Sequence, residues 1–222
     1  MHRMEPKAGR LRATLVVRVL TALLAVVLST IAGLAFVEGF VRLTLGSYYS
    51  ASYQLDPRWR HKPVPNSKRF NHKQKVLVEI NSEGFRGKEL EVTGNSPRIV
   101  VYGDSMIEAR FSALENTLAI RLEAELDNRF GHVEVVNAGV VAYGTDQVSV
   151  RMEDELPKLR PQVVVVALFA DNDFGDLIRN KIYRLSPEGG LMQNPFVVGE
   201  GLKEKFAREQ QDLMLVKILR KA

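Results

Sequence analysis

Three short stretches of this chain carry the residue types that acyl transfer requires. Gly103-Asp104-Ser105 offers a hydroxyl, Asn137-Ala138-Gly139 a flexible backbone N–H, and Ala170-Asp171-Asn172-Asp173 a side-chain amide. A serine that attacks an ester carbonyl generates an oxyanion, and donors preset around that oxygen lower the barrier. Taken singly, each stretch is an ordinary turn. Asp104 reads as a structural residue that accepts from nearby backbone N–H groups, and Asn172 alone reads as a turn former.

The elements in front of the three stretches give them a common geometry. Ile99 to Tyr102 is too short for a helix and rich in β-branching, which predicts a strand buried on both faces, with the turn at Gly103. Val133 onward predicts a second strand ending in Asn137 and Gly139, and Val163 onward a third ending in Asn172. Between them, Leu118, Leu122, Leu126 and Phe130 step by four, with Gly131 as a carboxyl cap. Val148, Met152 and Leu156 mark another helix that should end near Pro157 and Pro161. Alternating strands and helices predict a parallel sheet with right-handed crossovers and helices on both faces. In such a sheet all three strand ends share one edge, so Ser105, Gly139 and Asn172 are expected to converge there. His132 opens the second strand and is expected at the opposite edge.

The order Gly-Asp-Ser, Asn-x-Gly, Asn-Asp, each behind a hydrophobic strand, resembles the SGNH/GDSL ester hydrolases over roughly residues 75 to 195. The resemblance implies a three-layer α/β/α, flavodoxin-like domain that acts on an ester or acylated substrate, as esterase or acyltransferase. Ser105 would be its nucleophile. The Ser105 N–H, the Gly139 N–H and the Asn172 side chain would form the oxyanion hole, with no cofactor. The third block has Ala170 where the family has glycine, and Ala109 stands where a glycine often follows Ser-x-x-Glu. The family's Asp-x-x-His block, source of the general base, occurs nowhere in the 222 residues. The expectation is therefore a chain truncated before that block, with a sheet edge left uncovered and turnover impaired. The alternative is a non-catalytic, membrane-tethered module that binds an acyl or glycan ligand; a third reading is an incomplete chain with no stable fold. His61 or His72 could replace the base, although their spacing does not favour it.

The net charge of +5 is concentrated in Arg3, Lys7, Arg10, Arg12 and Arg18 against Glu5, so the rest of the chain is nearly neutral. That distribution fits membrane topology, not a nucleic-acid partner. Val19 to Val37 is apolar and uncharged, about 28 Å as a helix, long enough to cross a bilayer. We read residues 1–18 as a cytoplasmic basic tail and 19–37 as a signal anchor. Residues 98–222 would then be a periplasmic or extracellular domain, after a lead-in over 38–97. A cleaved signal peptide, cut near Gly33-Leu34-Ala35, is the rival; the apolar run exceeds the usual core of such peptides. Phe36, Phe40, Tyr48, Tyr49 and Tyr53 are expected near the interface, and Glu38 and Arg42 are spaced to pair.

With no cysteines, disulfides and thiolate chemistry are excluded, and His2, His61, His72 and His132 show no ligand spacing. Asp171, Asp173 and Asp176 do not follow a calcium-loop pattern, so no metal is assigned. The lead-in reads as a solvated linker around the basic run Arg58 to Lys62, with one strand at Val76 to Ile80. Asn81-Ser82-Glu83-Gly84-Phe85-Arg86 is similar to the lead-in of membrane-anchored family members, which implies a small cap. Arg86 is expected in an ion pair ahead of substrate contact. Past Asp176, Lys181 to Leu185 predicts a short strand followed by glycine turns, and Leu202 to Lys221 a partial helical stripe.

Overall fold

The structure, a computed structural model, describes residues 7–45, 52–71, 74–91 and 96–219. Tyr48, Tyr49, His2, His72 and the stripe past Leu219 lie outside the described residues. In chain order the elements are α1 (Lys7–Leu45), β1 (Tyr53–Asp56), β2 (Arg60–Pro63), β3 (Lys68–Asn71), β4 (Val76–Glu79), β5 (Arg98–Gly103), α2 (Ser105–Glu108) and α3 (Leu118–Phe130). Then come β6 (Glu134–Gly139), α4 (Thr145–Leu159), β7 (Val163–Val166), α5 (Asp173–Asn180), β8 (Tyr183–Leu185), β9 (Leu191–Gln193), α6 (Glu200–Gln211) and α7 (Met214–Leu219). They form two units, one of α1 with the segment from Leu213 onward, the other from Ser47 to Asp212.

In the first unit, α1 is long and apolar enough to cross a membrane over Thr14–Leu45. Its hydroxyls are satisfied within the helix: Ser29 donates to the Ala25 carbonyl at 2.7 Å and Thr30 to that of Val26 at 2.8 Å. They need no water as partner. Glu38 and Arg42 pair at 2.6 Å as their spacing predicts. Glu38 also accepts the Met214 and Leu215 N–H groups at 2.8 and 3.1 Å. An acidic side chain is well placed at the start of α7, where free N–H groups gather.

In the second unit, the lead-in folds instead of running as a solvated linker. β1 pairs antiparallel with β2, and β3 with β4. Asp56 Oδ1 takes the N–H groups of Arg58 and Trp59, both at 2.9 Å, and so closes the first hairpin. Two cations of the basic run are then paired, Lys62 with Asp56 at 2.9 Å and Arg58 with α4. Arg58 reaches Glu153 and Asp154 of α4 at 2.8 and 2.9 Å, and the Trp59 indole donates to Asp154 at 2.7 Å. Tyr53 belongs to this hairpin, where its hydroxyl donates to Glu108. In the Asn81 turn, Asn81 Oδ1 accepts from Glu83 and Phe85. Gly84 there takes a φ of +89°, open to glycine at little cost.

The central sheet is parallel, in the order β6-β5-β7. Val100, Val101 and Tyr102 of the middle strand are 0% exposed, each contributing about 1.5–3 kcal/mol by burial. Alternation along β5 feeds two apolar clusters. Val100 and Tyr102 join Val136, Ala138, Val148 and Phe85; Val101 joins Val135, Ile107 and Ala119. The third strand ends at Val166, six residues before Asn172, and its four valines are 36–48% exposed. The intervening turn leads into α5, a helix additional to those predicted from the sequence. Pro157 sits inside the last turn of α4, which ends at Leu159. β8 and β9 pair as a hairpin about the glycine turn, with Gly189 at φ +84°.

Candidate active site

Ser105 opens α2 directly beyond the carboxyl end of β5. Asp104 caps that helix, its Oδ1 accepting the Met106 N–H at 2.8 Å, the structural role expected of it. The Ser105 hydroxyl lies 3.5 Å from Asp104 Oδ2, a long contact. Only glycine fits before it, since a Cβ on Gly103 would come within 2.5 Å of Ile107 Cγ1 and 3.1 Å of the Ala167 carbonyl.

The far end of α2 is held by a buried network. Glu108 accepts the Tyr53 hydroxyl and, at 2.8 Å, the Val141 N–H; burial pushes its carboxyl above the usual range. Arg86 forks its guanidinium to the carbonyls of Glu108 and Ser112, the second at 2.6 Å. It makes no ion pair among the described residues. It is a brace for the segment after Ser105, a geometry that suits arginine's planar donors.

Gly139 ends β6 level with Gly103 in the register. A Cβ there would meet Glu108 N at 2.2 Å and Ile107 C at 2.6 Å, so α2 rests directly on its backbone. Its N–H donates to Asn137 Oδ1 at 3.0 Å, while Asn137 Nδ2 donates to the Ile107 carbonyl at 2.8 Å. The structure thus brings Gly139 against the helix that carries Ser105, with its N–H engaged by Asn137.

Asn172 precedes α5. Its Nδ2 donates to Asp176 Oδ2 at 3.3 Å, leaving one amide hydrogen with no partner among the described residues, and its Oδ1 is out of solvent without a donor. Asp173 Oδ2 accepts the Phe169 N–H at 2.7 Å. Burial raises the Asp173 carboxyl, and the charges of Asp104 and Asp176 raise it further, so the start of α5 lies within electrostatic reach of the Ser105 turn. The β6–α4 loop is close to α5 as well, since a Cβ on Gly144 would lie 2.8 Å from Leu177 N. Ala142 in that loop holds a left-handed φ of +63°, and its carbonyl takes Asn180 Nδ2 at 3.1 Å. No hydrogen bond joins Ser105 to Gly139 or Asn172 among the described residues.

Neither described histidine reaches the serine by a hydrogen bond. His132, at the opposite end of β6, bonds Glu91. His61 Nε2 donates to the Val141 carbonyl at 2.8 Å, and its ring lies edge-on to Tyr53 and Tyr143. Burial lowers its pKa, and Arg179 lowers it further. In the acidic stretch, Asp176 pairs with Arg179 at 2.6 Å.

No family model and no curated protein matches the chain. Among solved structures it is similar to the esterase AlinE4, described as an SGNH-hydrolase family esterase, and to a point mutant of it. Each match has 18% identity and a TM-score of 0.33, covering 57% of this chain and 73% of the other.

Proposed function

We propose that the Ser105 turn is the nucleophile of an SGNH-type serine esterase or acyltransferase, tethered to a membrane by α1 with the second unit on the periplasmic or extracellular side. The observation that carries this reading is the placement of Ser105, the β6–α4 loop and the start of α5 at the carboxyl edge of a parallel sheet in the order second-first-third. That order and the two apolar clusters favour a three-layer, flavodoxin-like arrangement, in which ligands sit at this edge. Ser105 attacks the ester carbonyl, and its own N–H with the Asn172 amide receives the oxyanion. Gly139 supplies the ledge on which α2 sits; its N–H joins the donors when Asn137 releases it.

With no imidazole bonded to its hydroxyl among the described residues, Ser105 is expected to be a weak nucleophile and turnover to be slow. Hydrolysis of p-nitrophenyl acetate by the full chain should exceed buffer and fall to buffer level in Ser105→Ala. A rate equal to buffer in both proteins would refute the catalytic reading. That no imidazole contacts Ser105 among the described residues favours, as second reading, a tethered module that binds an acyl or glycan ligand without turnover.

A further inference from the structure

A separate cavity of about 970 Å³ opens among the β1–β2 hairpin, the β6–α4 loop and the segment after α5, at the upper end of the range for small-molecule sites. Ser105, Gly139 and Asn172 are not in its wall. Arg60, Arg69, Arg110, Arg179 and Lys181 are, and no aspartate or glutamate among the described residues lines it. Arg179 is neutralised by Asp176. The other four have no ion pair among the described residues; Asp146 acts on Arg60, and Glu108 and Arg110 act on each other, only through charge at longer range.

Three backbone carbonyls of this wall are already taken. The Val141 carbonyl takes His61, that of Ala142 takes Asn180 and Arg179, and that of Lys181 takes Arg60 at 3.2 Å and Asn194 at 2.8 Å. Donors are left over: Arg60 Nη1 and Arg110 Nε lie out of solvent with no acceptor. Such a surplus calls for an anion, since an unpaired buried donor is costly. The rest of the wall is apolar and aromatic. The Arg60 guanidinium stacks 4.8 Å over Phe196, and Leu55, Val197 and Phe206 extend the surface.

We infer that this cavity binds a phosphate ester with an apolar arm. Several guanidinium forks match the oxygens of a phosphate dianion and exceed the need of one carboxylate, and the aromatic wall takes the arm. The inference does not depend on Ser105 being a nucleophile. A phospholipid headgroup with its chains and a soluble alkyl phosphate share this chemistry.

The test is isothermal titration of the full chain in phosphatidylcholine nanodiscs, against empty nanodiscs. The probes are dihexanoyl phosphatidic acid, hexyl phosphate, dihexanoyl phosphatidylcholine and inorganic phosphate. Phosphatidic acid or hexyl phosphate should bind at least about tenfold more tightly than the phosphocholine lipid or inorganic phosphate, and the tighter of the two identifies the source. Arg69→Glu/Lys181→Glu should lose at least about tenfold, with thermal unfolding confirming its fold. Independently of any variant, wild-type affinity should fall steeply with salt. Ser105→Ala should bind as wild type; loss of binding there would assign the ligand to the serine site and overturn a separate one. Equal affinity for the phosphocholine lipid, salt-independent binding, or no binding of either phosphate ester would also overturn it.

Discussion

Replacing Gly139 by alanine tests the contact on which the Ser105 helix depends. The added carbon would stand 2.2 Å from Glu108 N, 2.6 Å from Ile107 C and 2.7 Å from Ile107 Cβ. Ordinary contact begins near 3.5 Å, so α2 must move by roughly 1 Å. None of these atoms is the tip of a flexible side chain. The shift would also stretch the Asn137 bond to the Ile107 carbonyl and the Arg86 fork. Overpacking of this kind costs about 1–3 kcal/mol, and three backbone-proximal clashes place it at the upper end. For a unit of this size that is a fall in Tm of about 6–12 °C, measured by circular dichroism on the full chain. Gly175→Ala is the control: nothing lies within 4 Å of a Cβ there, and a helical glycine exchanged for alanine should gain about 0.5–1 kcal/mol. Because a misplacement of about 1 Å costs roughly a hundredfold in rate, Gly139→Ala should also abolish the Ser105-dependent hydrolysis. A Gly139→Ala protein that melts with wild type would refute the close packing of β6 under α2.

Arg151 is fully buried, pairs with Glu155 at 2.7 Å and donates to the Ala138 carbonyl at 2.9 Å. Arg151→Met should cost about 3–5 kcal/mol in denaturant unfolding by stranding Glu155, and Arg151→Met/Glu155→Leu should recover most of it. His61 is held neutral in the fold, with a pKa below its unfolded value of about 6.5. Its contribution to stability is therefore full above that unfolded value and lost as pH falls through the folded one. The Tm advantage of wild type over His61→Gln should be largest near about pH 8 and shrink toward about pH 5; a gap independent of pH would contradict it. The apolar α1 should hold the chain in the membrane pellet after alkaline carbonate extraction, and release into the supernatant would reject the anchor.

The elements most legible in the sequence are those whose pattern comes from burial. The β-branched runs before Ser105 and Gly139 read as strands and are buried, the steps of four in α3 and α4 reflect one buried face, and Val163–Val166 reads as a strand by its β-branching although its valines are 36–48% exposed. The lead-in hairpins were obscured by charge: Arg58 and Lys62 look solvated until Glu153, Asp154 and Asp56 are seen beside them. The helix α5 was hidden by its aspartates, although Phe174, Leu177 and Ile178 have helical spacing. Gly139 illustrates a different difficulty. A glycine after a strand signals either a free N–H or a close approach, and the contact with α2 appears only in three dimensions. For Arg86 the type was informative and the partner was not, since its acceptors are carbonyls.

The most direct test of the central claim is trapping of the acyl group. Because no imidazole is bonded to Ser105 among the described residues, an acyl group transferred to its hydroxyl should be removed slowly and accumulate. Peptide mapping by mass spectrometry after exposure to p-nitrophenyl acetate should find acetyl on Ser105, and much less of it in Asn172→Ala. Acetyl on lysines alone, or equal labelling of Ser105 in both proteins, would contradict the account.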